Sequence, residues 1–331
     1  DDEVRIVCAD MTTGNPSGSP FVSTIGGLEP EAMTGWAAYA GGVVWALREH
    51  GLPARGLNIA FAGEVPLGSG LSSSAALECS IALATCAAWG VPDTLALRRD
   101  LVSACVRAEQ DVAGAPTGGM DQTVSLFGQA GHALLIDCAS WQTTPVPWRL
   151  PDGVQLLVVD TRASHALVDG QYGSRRDECA AAARALGVGS LRDVCDDDVP
   201  DTLVDPMLRR RVRHVLTENN RVGTAVEALT DSDPARLGQT FAESHASMRD
   251  DFEISCPQLD AVVETAMSCA AYGARMTGGG FGGCAIVLAD ADRIPRIRIA
   301  VDHAFRERGW PEPGFLDAVA SEGARRVTDP R

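Results

Sequence analysis

The sequence predicts a mixed α/β or α+β protein of two domains, and three observations predict it. Strand-like and helix-like patterns alternate in both halves of the chain. The chain has 331 residues, 45% of them apolar, which is enough for two cores. The turn Pro151-Asp152-Gly153 separates two such alternating stretches, so the expected domains are residues 1–150 and 151–331.

Val4 to Val7 look like the edge of a strand, and a turn region rich in Gly, Pro and Ser follows from Thr12 to Pro20. Residues 36–47 have helical spacing, with Trp36, Tyr39, Val43 and Leu47 on one side. Leu57, Ile59 and Phe61 alternate as in a half-buried strand. The stretch EVPLGSGLSSSAALECS, from Glu64 to Ser80, then opens into a helix of small residues that reaches Trp89. A further helix over 98–112 turns Leu101, Cys105, Ala108 and Val112 to the core. GHALLIDCAS and GVQLLVVDTRA read as buried strands, and helices are expected over 174–186, 207–229 and 257–270. The acidic link from Asp193 to Asp201 reads as a solvated loop, and RMTGGGFGG feeds a last strand, CAIVLA.

Composition excludes several functions. A net charge of −16 repels polyanions, so neither nucleic acid nor an anionic membrane is an expected partner. The basic run RRRVRH, Arg209 to His214, reads as a solvated helix face. No apolar run is long enough to cross a bilayer, and the opening DDEVRIVCAD lacks the basic flank and apolar core of a secretion signal. Ten scattered cysteines without a Cys-x-x-Cys pair read as reduced thiols of a cytoplasmic protein, and six scattered histidines argue against a transition-metal centre. All 28 basic residues are arginine. Without lysine, Walker-A hydrolysis, the protein-kinase strand lysine and Schiff-base chemistry are excluded.

The Gly-Ser stretch carries the functional signal. Gly68 and Gly70 let backbone approach a guest closely, and Ser72, Ser73 and Ser74 fall where a helix begins with unpaired amides. Such a terminus attracts anions, with phosphate the obvious guest. A plain turn and N-cap would need only one such pair, whereas here two glycines precede three hydroxyls. A dinucleotide fingerprint fails because its third glycine is Ser73, and a hydrolase elbow fails because Ser74 stands where its second glycine belongs. A nucleoside triphosphate would bring Mg²⁺, for which Ser74 and Glu109 are candidate oxygen ligands. Glu109 also reads as an exposed residue at the edge of its helix's apolar stripe. In GAPTGGMDQ, Asp121 ends a tight turn, a position that suits ordinary turn chemistry or a residue that takes the proton of an attacking hydroxyl.

The segments PLGSGLSSSAALE, AGAPTGGMDQTVSLFGQAGHALLIDC, GQYGSRRDEC, SMRDDFEISCPQLD and YGARMTGGGFGGCAIVL resemble, in order and spacing, the galactokinases of the GHMP small-molecule kinases. The resemblance runs from about Trp36 to the end. It implies an α+β, two-domain GHMP kinase fold, with a ribosomal-protein-like N-terminal domain and a ferredoxin-like C-terminal domain. It also implies phosphorylation of α-D-galactose at its anomeric hydroxyl, with ATP and Mg²⁺, by a monomer. Carried over residue by residue, Gly68, Ser69, Gly70, Leu71, Ser72, Ser73 and Ser74 match the phosphate loop. Ser74 and Glu109 match its metal ligands, and Asp121 its catalytic aspartate. Gly118, Asp121 and Tyr172 match sugar contacts, Trp36 an adenine-pocket aromatic, and the run from Gly278 to Gly283 a motif that closes against the site.

The family's opening segment, of the form G-R-V-N-L-I-G-E-H-T-D-Y, has no counterpart in these 331 residues. That segment supplies an arginine for the transferring phosphate and sugar-binding Glu, His and Asp. The expectation is a partial record of an ordinary galactokinase. The alternatives are a catalytically inactive sugar or nucleotide sensor of the same descent and another small-molecule kinase of the superfamily.

Overall fold

The computed structural model describes residues 2–9, 18–65, 70–115, 117–163, 171–194 and 202–327. The chain forms two compact units: one comprises the described residues within Asp1–Leu67, Ser72–Pro145 and Ala320–Arg331, the other those within Gly68–Leu71 and Val146–Val319. The change of unit at Pro145 lies a few residues before the expected turn, and the chain end joins the first unit, which no single cut reproduces.

The first unit holds β1 (Glu3–Cys8), β2 (Phe21–Thr24), α1 (Trp36–Glu49), β3 (Leu57–Phe61), α2 (Ser73–Ala88) and α3 (Leu95–Arg107). A π-helical turn, Ala108–Val112, follows, then α4 (Met120–Phe127) and the hairpin β4 (His132–Asp137) and β5 (Gln142–Pro147). β1 covers the expected Val4 to Val7 and lies between an antiparallel β2 and a parallel β3, with Val4 and Ile6 fully buried. Helix α1 is buried nearly all round, more widely than the expected single stripe, because α2, α3 and the π turn all pack on it. Its Gly42 allows this, since a Cβ there would press on Val112 at 3.2 Å. β4 is only half-buried, not buried as expected, because its sheet has two strands. Helix α3 begins earlier than its apolar spacing suggests, because the Thr94 hydroxyl accepts from the Leu97 amide at 3.1 Å.

The second unit follows with β6 (Val154–Asp160), α5 (Gln171–Leu186), α6 (Pro206–Thr230), α7 (Pro234–Asp250), α8 (Pro257–Ser268), β7 (Gly273–Met276), β8 (Cys284–Asp290), α9 (Ile294–Glu307) and β9 (Gly314–Ala318). Its antiparallel sheet has the order β7-β8-β6-β9 and buries Leu157, Val159, Val287 and Ala289 against α8 and α9. Helices α7 and α9 are not among the helices expected from the sequence pattern. The basic run on α6 is not a solvated face: Arg211 is 2% exposed and His214 7%. The Arg211 guanidinium donates to Glu178 and Glu253, each at 2.6 Å, and His214 Nδ1 meets the Ser247 hydroxyl at 2.9 Å. The expected acidic loop lies, beyond Val194, almost wholly outside the described residues. Between β7 and β8 the glycine-rich turn runs against the backbone of Gly70, where a Cβ on Gly278 would stand 3.1 Å from the Gly70 carbonyl oxygen. Gly278 also has φ 79, so that turn requires glycine on both counts.

Candidate active site

The site is built within the first unit from the start of α2, the π turn and the start of α4. Gly68 and Ser69 lie outside the described residues. Helix α2 begins after Ser72, whose left-handed backbone (φ 59, ψ 41) is unusual for a side chain-bearing residue. Ser72 makes no side-chain cap, so the first amides of α2 are left to another acceptor. That combination of a strained entry and uncapped donors suits a bound anion better than a closed turn.

Four residues below the helix entry, Ser74 and Glu78 share one face of α2. Glu78 is fully buried (0% exposed), as is Gln122 on α4, and Glu109 in the π turn is 8% exposed. Gln122 Nε2 donates to Glu78 Oε2 at 3.0 Å and to Glu109 Oε2 at 2.6 Å. Glu109 also takes hydrogen bonds from the side chains of Ser74 and Thr117. Glu109 continues the buried row of Leu101 and Cys105 at four-residue spacing, and the π turn starts beside it: the Ala113 amide reaches back to the Ala108 carbonyl at 3.1 Å, an i to i+5 bond. The continuous helix expected over 98–112 is corrected accordingly.

Burial pushes the Glu78 carboxyl up to about 8, with the charges of Glu109 and Asp121 adding to the rise and the Gln122 amide opposing it. Burial likewise raises Glu109, against the opposing hydrogen bonds of Ser74, Gln122 and Thr117, while Asp121 raises it further. The Tyr39 hydroxyl is raised by burial and then by the same two glutamates. Among the described residues neither glutamate has an ion pair, and Glu78 Oε1 and Gln122 Oε1 have no hydrogen-bond partner. A buried acid such as Glu109, without a cationic partner, suits a cation.

The donor set is hard oxygen, with Glu109 and the Ser74 hydroxyl adjacent, and among the described residues no group of three or more His, Cys, Asp and Glu side chains is placed to cage a metal. That fits Mg²⁺, which keeps waters and phosphate oxygens and takes one or two carboxylates. Asp121, half-exposed in the first turn of α4, lies close enough to act on both glutamates, and Gly118, exposed, precedes it by three residues. Trp36, half-buried at the start of α1, packs on Phe61 with ring centroids 5.3 Å apart. Tyr172 is the second residue of α5, but its side chain lies outside the described residues. Sequence reasoning missed Glu78, Gln122 and Tyr39. A signal for Glu78 existed: a lone acid four residues after Ser74, in a helix otherwise made of small and apolar residues.

An uncapped, lysine-free helix terminus beside buried carboxyl groups is a candidate site for an anion and its cation, and comparison with known proteins gives the class. Residues 38–129 match the family model for the GHMP kinases N terminal domain, and residues 225–307 that for the GHMP kinases C terminal. A galactokinase of Streptomyces coelicolor is 46% identical over 314 residues, 93% of this chain and 80% of that protein. One of Mycobacterium tuberculosis is 44% identical over 89% of this chain and 81% of its own length. The crystal structure of Lactococcus lactis galactokinase complexed with galactose superposes with a TM-score of 0.89 at 28% identity, covering 99% of this chain and 84% of that one. Within the GHMP kinases, the chain belongs to the galactokinase family, with the two-domain α+β fold of that class.

Proposed function

We propose that the chain transfers the γ-phosphoryl group of ATP to the anomeric hydroxyl of α-D-galactose, giving galactose 1-phosphate and ADP. The observation that carries this reading is the placement of Asp121 beside the buried Glu78, Gln122 and Glu109 at the uncapped start of α2. The α2 terminus lends the triphosphate amide donors and partial positive charge, and the resemblance offers Gly68 to Ser74 as its phosphate loop. Ser74 and Glu109 hold Mg²⁺, which when bound supplies charge neutralisation to the phosphate oxygens. Asp121 takes or orients the proton of the sugar hydroxyl during in-line transfer. Gly118 leaves room for the sugar, since a Cβ there would touch nothing within 4 Å, and the resemblance offers Tyr172 as a further sugar contact. Trp36 lines the adenine pocket, its ring held by Phe61.

Positioning and electrostatics supply most of the rate in such a scheme. A monomer acting in the cytoplasm accompanies this reading, supported by the family resemblance and, for the compartment, by the free cysteines of the described residues. The test is ADP release coupled to galactose, with ATP and Mg²⁺, by the parent protein and by Asp121→Asn. Galactose-dependent turnover that Asp121→Asn abolishes supports the reading. Turnover that survives the substitution removes Asp121 from its role, and sugar-independent or absent turnover with bound nucleotide would favour a sensor.

A further inference from the structure

Glu78 has no part in the reaction as described, yet it is a fully buried carboxylate in the wall of the site. An apolar side chain of similar size would fill the same space without the desolvation cost, so packing alone does not explain an acid here. Its hydrogen bonding does. A glutamine amide rotates about a broad, two-fold torsion, and either its NH₂ or its carbonyl oxygen can be presented to a neighbour. Gln122 stands between two carboxylates and gives one N–H to each, at 3.0 Å to Glu78 and 2.6 Å to Glu109. The two acids together demand the donor end. Without the acceptor at position 78, half of that demand is gone, and the carbonyl end can turn toward Glu109, where it repels.

Helix α2 also holds Gln122 by its backbone, since the Cys79 thiol donates to the Gln122 carbonyl oxygen at 3.7 Å. Ser74, Glu78, Gln122 and Glu109 therefore form a closed chain across three segments, in which Ser74 reaches Glu109 directly and Glu78 reaches it through Gln122. Outer partners of this kind set the orientation of a metal ligand.

We propose that Glu78 is a positioning residue: it fixes the side-chain amide of Gln122, which holds Glu109 in the orientation that takes Mg²⁺. This rests on the metal role given to Glu109 above. The test is Mn²⁺ binding, followed by electron paramagnetic resonance, to the protein saturated with a non-hydrolysable ATP analogue. Glu78→Met, nearly isosteric but without an acceptor, is expected to weaken Mn²⁺ binding about tenfold, and Gln122→Met equally. Glu78→Gln, which keeps an acceptor, restores affinity to within about twofold, and the double variant is no worse than either Met variant alone.

A purely structural role would lower the melting temperature of Glu78→Met and leave Mn²⁺ affinity unmoved, which overturns the proposal, as would additive effects in the double variant. Should Glu78→Met fail to fold, Gln122→Met reads the same link, and parental Mn²⁺ affinity in it is equally fatal. Glu109→Gln separates the two levels of the argument. If it loses Mn²⁺ while Glu78→Met does not, only the positioning role falls; if it binds Mn²⁺ as the parent does, the metal reading falls and takes the proposal with it.

Discussion

Each unit buries charged side chains, and the two solve the problem differently. In the second, Arg211 is enclosed by Glu178, Glu253 and the Asp251 carbonyl, and its guanidinium lies over Phe252. Nearby, burial would raise Glu218, but Arg275, Ser244 and Arg221 together hold it below the usual carboxylate range. Each buried charge there meets its opposite. In the first unit, Glu78 and Glu109 face each other across a single amide, with Asp121 adding a third acid. The network of the second unit pairs its charges and reads as architecture; that of the first unit is short of positive charge and reads as a site.

The contrast can be broken by substitution, and the largest expected effect is on chemistry. Asp121→Asn should lower kcat by at least about 10³-fold, the scale of a lost proton acceptor, with analogue affinity changed less than about threefold. Steady-state kinetics beside equilibrium nucleotide binding check this.

Next comes the compensated network. Arg211→Met removes two charge-assisted hydrogen bonds while Glu178 and Glu253 keep Arg175 and Arg210, and should cost about 3 kcal/mol in urea unfolding, while the metal requirement of the folded fraction stays parental. A selective change in metal requirement would erase the distinction between the two regions.

Glu109→Gln should lower kcat/KM about 10²-fold at low Mg²⁺, with part of the loss recovered at high Mg²⁺. An Mg²⁺ titration of the rate reads this.

The smallest effect is a pH slope. The native Glu78 keeps its proton up to about pH 8, whereas the unfolded chain releases it near the ordinary glutamate value. Between those values the native state binds the extra proton, so this group's stabilisation is present at low pH and declines as pH rises. Glu78→Gln should therefore gain stability relative to the parent between pH 5 and 8, by at most about 1.4 kcal/mol per pH unit. Urea midpoints across that range check it, and parallel profiles would show that Glu78 is ionised throughout.

Much of this was legible in the sequence because it lay in local pattern. The paired glycines and serines announced the entry to α2, and the alternation in LNIAF gave β3 its residues. What was not legible depended on surroundings that local pattern conceals. Glu109 reads as the rim of a helical stripe because a lone acid is ordinarily exposed, yet it falls four residues after the buried Cys105 and is itself buried. Arg211 and His214 were misread because consecutive charges wrap a helix at about 100° per residue, so a run cannot say which member faces the neighbouring helices. Gln122 carried no signal at all, since its importance comes from two acids 44 and 13 residues away.

The most direct test of the contrast is the increment in melting temperature that Mg²⁺ adds to an ATP analogue, measured for the parent, Glu109→Gln and Arg211→Met. The account predicts several degrees of added stabilisation in the parent and in Arg211→Met, and little or none in Glu109→Gln, with the metal-free nucleotide shift the same in all three. An equal Mg²⁺ increment in Glu109→Gln and the parent would contradict it, because the acids buried in the first unit would then be structural like those of the second.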